Sequence, residues 1–152
     1  MTDTVEEEEQ QRLVAATRAY RVMRELVLEE DERMVQLAEV TGMSFIRSKV
    51  LRRLAAGPMR MSELTARLRT DKPYTTLVVD DLERRGLVVR SVHPDDRRCK
   101  IVTNTPAGQE MAELAESILA RPPQRLLALD QEELALLERV LGKVTEASSS
   151  TP

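Results

Sequence analysis

Residues 62 to 86 contain two short helical patterns with too little chain between them to do anything but cross. Asp71 is placed to cap a helix N-terminus, and Pro73 falls in the first turn, where its missing N–H costs nothing, so a helix should start at Lys72. Leu77, Val78 and Leu82, with Thr75 or Val79 filling the stripe, recur at three- and four-residue spacing, and Gly86 follows Arg84-Arg85 as a left-handed cap. Ser62 to Leu68 is a second amphipathic stretch, and only Arg69-Thr70-Asp71 separates the two. Helices joined by so short a turn cross at a steep angle.

A β-branched run, Leu87 to Val92, and another, Lys100 to Thr103, follow directly. Between them His93-Pro94-Asp95-Asp96-Arg97-Arg98 is rich in turn formers and charge, which reads as a hairpin with a projecting basic tip. Two crossed helices and a basic hairpin are the layout of a winged helix-turn-helix. The run Gly86-Leu87-Val88 through Arg90, then Asp96-Arg97-Arg98, then Asn104-Thr105-Pro106-Ala107-Gly108 resembles the wing signature of the MarR family of bacterial transcriptional regulators.

Composition narrows the alternatives. A chain of 152 residues suits one domain, and with only Tyr20, Phe45 and Tyr74 as aromatics its core must be aliphatic, as in helices packed on helices. One cysteine, Cys99, excludes an internal disulfide, and one histidine, His93, leaves no His-rich metal site and poor material for an enzyme. No cofactor is expected. The absence of a long apolar run predicts no membrane association and a cytoplasmic protein. The net charge of −3 is unevenly spread. Residues 43–59 hold four basic and no acidic side chains and residues 60–100 hold ten against seven, whereas 1–42 hold five against eleven and 101–152 four against eight. A basic middle between acidic ends can meet DNA on one face and stay off it elsewhere.

The flanks read as helices. Residues 1–9 are polar and should be frayed; from Leu13 the positions Ala16, Tyr20, Met23, Val27, Met34 and Leu37 predict one long helix to about Val40, broken at Thr41-Gly42. Ser44 can cap a helix carrying Phe45, Val50, Leu51 and Leu54 inward, and Met59-Arg60-Met61 can form a short strand against the wing. Thr105-Pro106 opens a helix with Met111, Leu114 and Ile118 on one face, which stops before Pro122-Pro123. Asp130 to Glu133 is a capping box for a last helix bearing Leu134, Leu137, Leu141 and Val144. The expected fold is mainly α with a small β-hairpin wing, in a single domain. Residues 43–104 form the winged-helix core, 1–42 and 105–147 the dimerisation helices, and 148–152 a disordered tail. The N-terminal helix has more apolar face than its own domain can cover, which points to a homodimer.

A recognition helix enters the major groove by its N-terminal end, so Lys72, Pro73, Tyr74, Thr75, Thr76 and Leu77 are the candidates to meet base edges. Asp80-Asp81 stand mid-helix where family members often carry basic residues, which favours the wing as the main source of affinity and leaves a protein-interaction module as the rival reading. The resemblance implies that Arg98 inserts into the minor groove, that Asp96 holds its guanidinium in a bidentate pair, and that Arg97, Arg90 and Lys100 steady the DNA backbone. It further implies a dimeric repressor on a pseudo-palindromic DNA operator, released by a small, often phenolic acid. Tyr20, Met23, Met43, Phe45, Arg47 and Met111 are the candidates to line that effector's pocket.

Overall fold

The computed structural model describes residues 2–29 and 32–148. The chain divides into two compact units, residues 31–121 and a terminal unit made of residues 1–30 with 122–152. In the first, helices α2 (Glu32–Thr41), α3 (Phe45–Leu54), α4 (Met61–Leu68), α5 (Lys72–Arg84) and α6 (Pro106–Leu119) surround a three-stranded antiparallel sheet. Its strands are β1 (Met59–Arg60), β2 (Val88–His93) and β3 (Asp96–Asn104), in the order β1-β3-β2. The terminal unit holds α1 (Thr2–Arg24), a π-helical turn (Glu25–Glu29), a 3-10 turn (Gln124–Ala128) and α7 (Gln131–Ser148).

Local chemistry explains where the central elements begin and end. Asp71 accepts from the Tyr74 amide at 2.7 Å and starts α5 at Lys72. At the other end Gly86, with φ of +71°, lets the Leu87 amide reach Leu82 O at 3.0 Å and its own amide reach Glu83 O at 2.9 Å, a Schellman closure. Thr105 caps α6 by accepting from the Gly108 amide and donates to Gly86 O at 2.7 Å, tying the end of α5 to the start of α6. Gly108 is required by contact: a Cβ there would lie 1.9 Å from Leu87 O. The α7 capping box forms in both directions, Asp130 and Glu133 each accepting the other's amide at 2.9 Å.

One aliphatic core fills the winged unit. Val50, Leu51 and Leu54 of α3, Leu64 and Leu68 of α4, Val78, Val79 and Leu82 of α5, and Val88 and Val102 of the sheet are buried together. Leu37 of α2 packs with Ala115 and Ile118 of α6 in a second cluster. Arg33 on α2 donates to Arg121 O at 2.8 Å and so serves the end of α6.

Several expectations are corrected. The N-terminal helix is not one rod from Leu13 to Val40: it starts at Thr2, so residues 2–9 are helical, and it gives way to the π-turn at Glu25 before α2 begins at Glu32. Helix α7 runs through Ser148, and the tail expected beyond it lies outside the described residues. Ser44 stands at the N-cap of α3 without a side-chain cap bond. Phe45, Leu77 and Leu114 face outward, at 41%, 61% and 38% exposure. Other inward positions read on these helices, Val50, Leu51 and Leu54, Val78 and Leu82, and Ile118, are buried, and Ile46, Thr75 together with Val79, and Ala112 with Ala115 complete the inner faces.

No described residue of the terminal unit is buried. Leu13, Tyr20, Val22 and Val27 on its first arm are 51–63% exposed, and Leu127, Leu136, Val140 and Val144 on its second are 48–60% exposed. Among the described residues no helix is long and apolar enough to cross a membrane.

Candidate nucleic-acid interface

The wing is tighter than its sequence suggests. His93 pairs directly with Asp96, so only Pro94 and Asp95 form the tip, whereas Val92 pairs with Lys100. The register jump leaves Arg97, Arg98 and Cys99 without opposite numbers, a bulge in β3 close to the tip. Asp96 organises it: Oδ1 accepts from the Arg98 backbone amide at 3.0 Å and Oδ2 from the Cys99 thiol at 3.3 Å. These two bonds hold the Asp96 carboxyl below its usual range, and the same contact, with burial, raises the Cys99 thiol. The expected bidentate pair between Asp96 and the Arg98 guanidinium is therefore replaced by a bond to the Arg98 main chain. Arg97 and Arg98 are both exposed, and no ion pair among the described residues engages either.

On α5 the outward face of the first two turns carries Lys72, Pro73, Tyr74, Thr76 and Leu77; Tyr74 is 42% exposed. The Thr76 hydroxyl donates back to Lys72 O at 2.9 Å. Thr75 corrects an expectation: it is fully buried, its hydroxyl bonded to Asp71 O and to the Thr70 hydroxyl, both at 2.9 Å. A side chain in the core cannot touch a base edge, and Thr75 instead ties the turn between α4 and α5 to the helix it precedes. That turn is entered through Arg69, a non-glycine residue with φ of +54°.

Between the N-terminal half of α5 and the wing bulge runs a groove of about 470 Å³. Arg60, Lys72, Arg90, Arg98 and Lys100 line it, with hydroxyls from Ser62, Thr65 and Thr76. No carboxylate is among its lining residues.

The acids of α5 are all turned to internal tasks, which the sequence does not reveal. Asp81 accepts from Arg47 at 2.6 Å, Arg85 at 2.9 Å and Arg84 at 3.1 Å, and only 14% of its side chain is exposed. The Arg47 hydrogen bond, above all, holds the Asp81 carboxyl below its usual range. Arg85 also donates to Gly42 O, so this cluster joins α5 to the start of α3. Glu83 accepts from the Arg90 backbone amide at 3.0 Å on Oε1 and from the Arg90 guanidinium at 2.7 Å on Oε2, while Asp80 takes the same guanidinium at 2.5 Å. These bonds lower the Glu83 carboxyl and raise Arg90 further. Arg90, expected to be free for the DNA backbone, is thus an ion-paired, half-buried side chain.

Of the six residues expected at an effector pocket, four lie in the winged unit and two in the terminal unit. Met43 is buried in the core of the winged unit and Met111 packs against that core. Arg47 is committed to Asp81 and Ser44, and Phe45 is exposed. Tyr20 and Met23 are exposed on α1 of the terminal unit.

Among known proteins, this chain is similar to members of the MarR family. The sequence profile of the MarR family matches residues 48–100, from mid-α3 through the wing bulge. The HTH-type transcriptional regulator BilQ of Clostridium symbiosum is 35% identical over 89 residues, 56% of this chain and 62% of that protein. The matched part of the chain thus spans less than two thirds of this curated relative. Among solved structures, the reduced form of MarR from E. coli superposes with a TM-score of 0.70 at 25% identity, covering 82% of this chain and 93% of that one. A mutant of the same protein complexed with operator DNA superposes with a TM-score of 0.64 at 25% identity, covering 82% and 91%.

Proposed function

Since the chain belongs to the MarR family, we propose that it is a cytoplasmic transcriptional regulator that binds double-stranded operator DNA as a homodimer and represses nearby genes. The observation that carries the reading is the groove between α5 and the wing, lined by Arg60, Lys72, Arg98 and Lys100 beside the ion-paired Arg90, with no carboxylate among its lining residues. A phosphate backbone running along such a groove would seat the first turns of α5 in the major groove and the Arg98 bulge against the adjacent minor groove. Lys72, Tyr74 and Thr76 are the side chains offered to base edges. The acids that favour a protein-interaction module at the level of sequence are consumed by Arg47, Arg84, Arg85 and Arg90 and leave the groove basic.

The dimer rests on the terminal unit. Its helices expose large aliphatic side chains along their length and bury none, and a second copy supplies the apolar surface that they lack. Two recognition helices about one DNA turn apart would select a pseudo-palindrome of roughly 16–20 bp. Release by a small apolar acid would require a coupling of only about 1–3 kcal/mol between the two sites.

Fluorescence anisotropy on the DNA upstream of the protein's own gene, against a scrambled duplex and over a series of salt concentrations, tests the reading. Selective binding whose log K falls steeply with log salt supports it; equal, weak binding to both duplexes rejects it. Sedimentation equilibrium decides the dimer, and aromatic acids added to the anisotropy assay decide the effector.

A further inference from the structure

The basic residue closest to the recognition helix in the wing is not spent on DNA. We infer that Arg90, held by Glu83 and Asp80, is a positioning residue that sets the angle between α5 and the wing. This rests on the DNA-binding reading above.

The backbone between the two elements is a single sharp turn, Arg85-Gly86-Leu87, in which Gly86 alone takes a left-handed conformation. The base of the hairpin is held by Val88 and Val102 in the core and, on the β3 side, by the pairing with β1 at Met59 and Arg60, whereas beyond that pairing the hairpin can still tilt against α5. Past Ser91, which faces the last β3 residue paired with β1, the hairpin runs on for about four residues, roughly 13 Å at about 3.3 Å per residue, so a tilt of about 10° would carry the tip some 2 Å, about a third of a minor groove about 6 Å wide. The β1 pairing holds the β3 side only, and β2 supplies an attachment on the side that faces α5. It is an edge strand, paired only with β3, and the Arg90 amide on its outer edge donates to Glu83. The Arg90 side chain then closes on the other Glu83 oxygen and on Asp80, one helical turn away on α5. Main chain and side chain of one wing residue are therefore fastened to one face of the recognition helix. That contact satisfies an exposed strand edge and holds the guanidinium between two carboxylates at the same time.

The two roles for Arg90 differ in sign. If Arg90 served a phosphate, removing Glu83 would free it and take a negative charge from beside the DNA, and binding would tighten. If Arg90 is a brace, Glu83→Ala weakens binding although it makes the interface more positive.

The test uses the full-length dimer and its upstream duplex. The expected result is that Glu83→Ala and Arg90→Gln each lose affinity on the order of tenfold. The salt slope should stay at the wild-type value, the double variant should be no worse than Arg90→Gln alone, and Glu83→Gln, which keeps an acceptor for the Arg90 amide, should recover part of the loss. Tighter binding by Glu83→Ala, or a slope reduced by about 1 in Arg90→Gln, overturns the brace and makes Arg90 a phosphate ligand. Amide hydrogen exchange of the free protein gives a readout without DNA: Glu83→Ala should lower protection across Val88–His93 and leave α3 unchanged. Unchanged exchange in the wing overturns the brace by itself, whereas failure of the wild type to select its duplex overturns the regulator reading and leaves the exchange result standing.

Discussion

Asp96 holds Arg98 by its backbone, at 3.0 Å from carboxylate to amide, and leaves the guanidinium to project from the wing. The carboxylate thereby shapes a three-residue bulge and spends nothing on the charge that the bulge presents. The two hydrogen bonds stabilise the Asp96 anion without neutralising it, so its worth to DNA binding lies in the shape it gives the bulge.

Asp96 and Arg98 should therefore fail differently when replaced. Arg98→Ala is expected to weaken operator binding and lower the salt slope by about 1, the signature of one lost phosphate-region charge. Asp96→Ala should weaken binding with the slope retained, because the cation remains and only its placement is lost. Anisotropy over a salt series separates them, and wild-type affinity in Arg98→Ala would remove the wing from the interface.

Cys99 should be a sluggish thiol. Its proton is held by Asp96, which with burial raises it above the usual thiol range, so little thiolate exists at neutral pH. Iodoacetamide at pH 7.5 is expected to react more slowly with the folded protein than with the unfolded chain, and faster with Asp96→Asn than with the wild type. Equal rates in the two folded proteins would mean that the thiol bond to Asp96 does not persist in solution.

Acid should loosen the joints around α5 late. Asp81 and Glu83 are lowered from ordinary values of 3.8 and 4.5 by their arginine partners. A depressed carboxyl contributes stability that is fully present above its unfolded value and is lost as pH falls through its folded value. These groups therefore predict a melting temperature insensitive to them between pH 7 and about 5, with their contribution disappearing below about 4. Asp81→Asn should lower the melting temperature at pH 7 and flatten the decline on the acid side; an unchanged acid limb would show that Asp81 is not an anchor of α3 on α5.

Gly108→Ala should destabilise the winged unit by packing alone. The added methyl would meet Leu87 O at 1.9 Å, and that carbonyl is already fixed by the Thr105 amide at 3.0 Å. Separating α6 from Leu87 is expected to cost about 1–3 kcal/mol, seen as a drop of several degrees in melting temperature. An unchanged melting temperature would mean that α6 can slide freely on the α5–β2 turn.

Features decided over three or four residues were legible in the chain itself. Asp71 with Pro73 sets the start of α5 and Gly86 its end, Thr105-Pro106 opens α6, and Asp130 with Glu133 opens α7, because each cap bonds an amide on its own first turn. The order of helix, turn, helix and hairpin follows from these stops together with the β-branched runs. Which positions complete each inner face does not, since neighbouring positions on a 3.6-residue period compete for it. Val78 and Leu82, with Thr75 or Val79, are legible as the inner stripe of α5, but only the fit against α3 and the sheet takes both Thr75 and Val79 inside and leaves Leu77 out. The fate of the charges is likewise tertiary. Asp81 finds Arg47 across 34 positions of sequence, and Glu83 finds Arg90 across a turn whose closure must exist first. Sequence places acids in the recognition helix; the folded arrangement decides that they hold its neighbours instead of repelling DNA, because an ion pair depends on where packing has already brought two side chains.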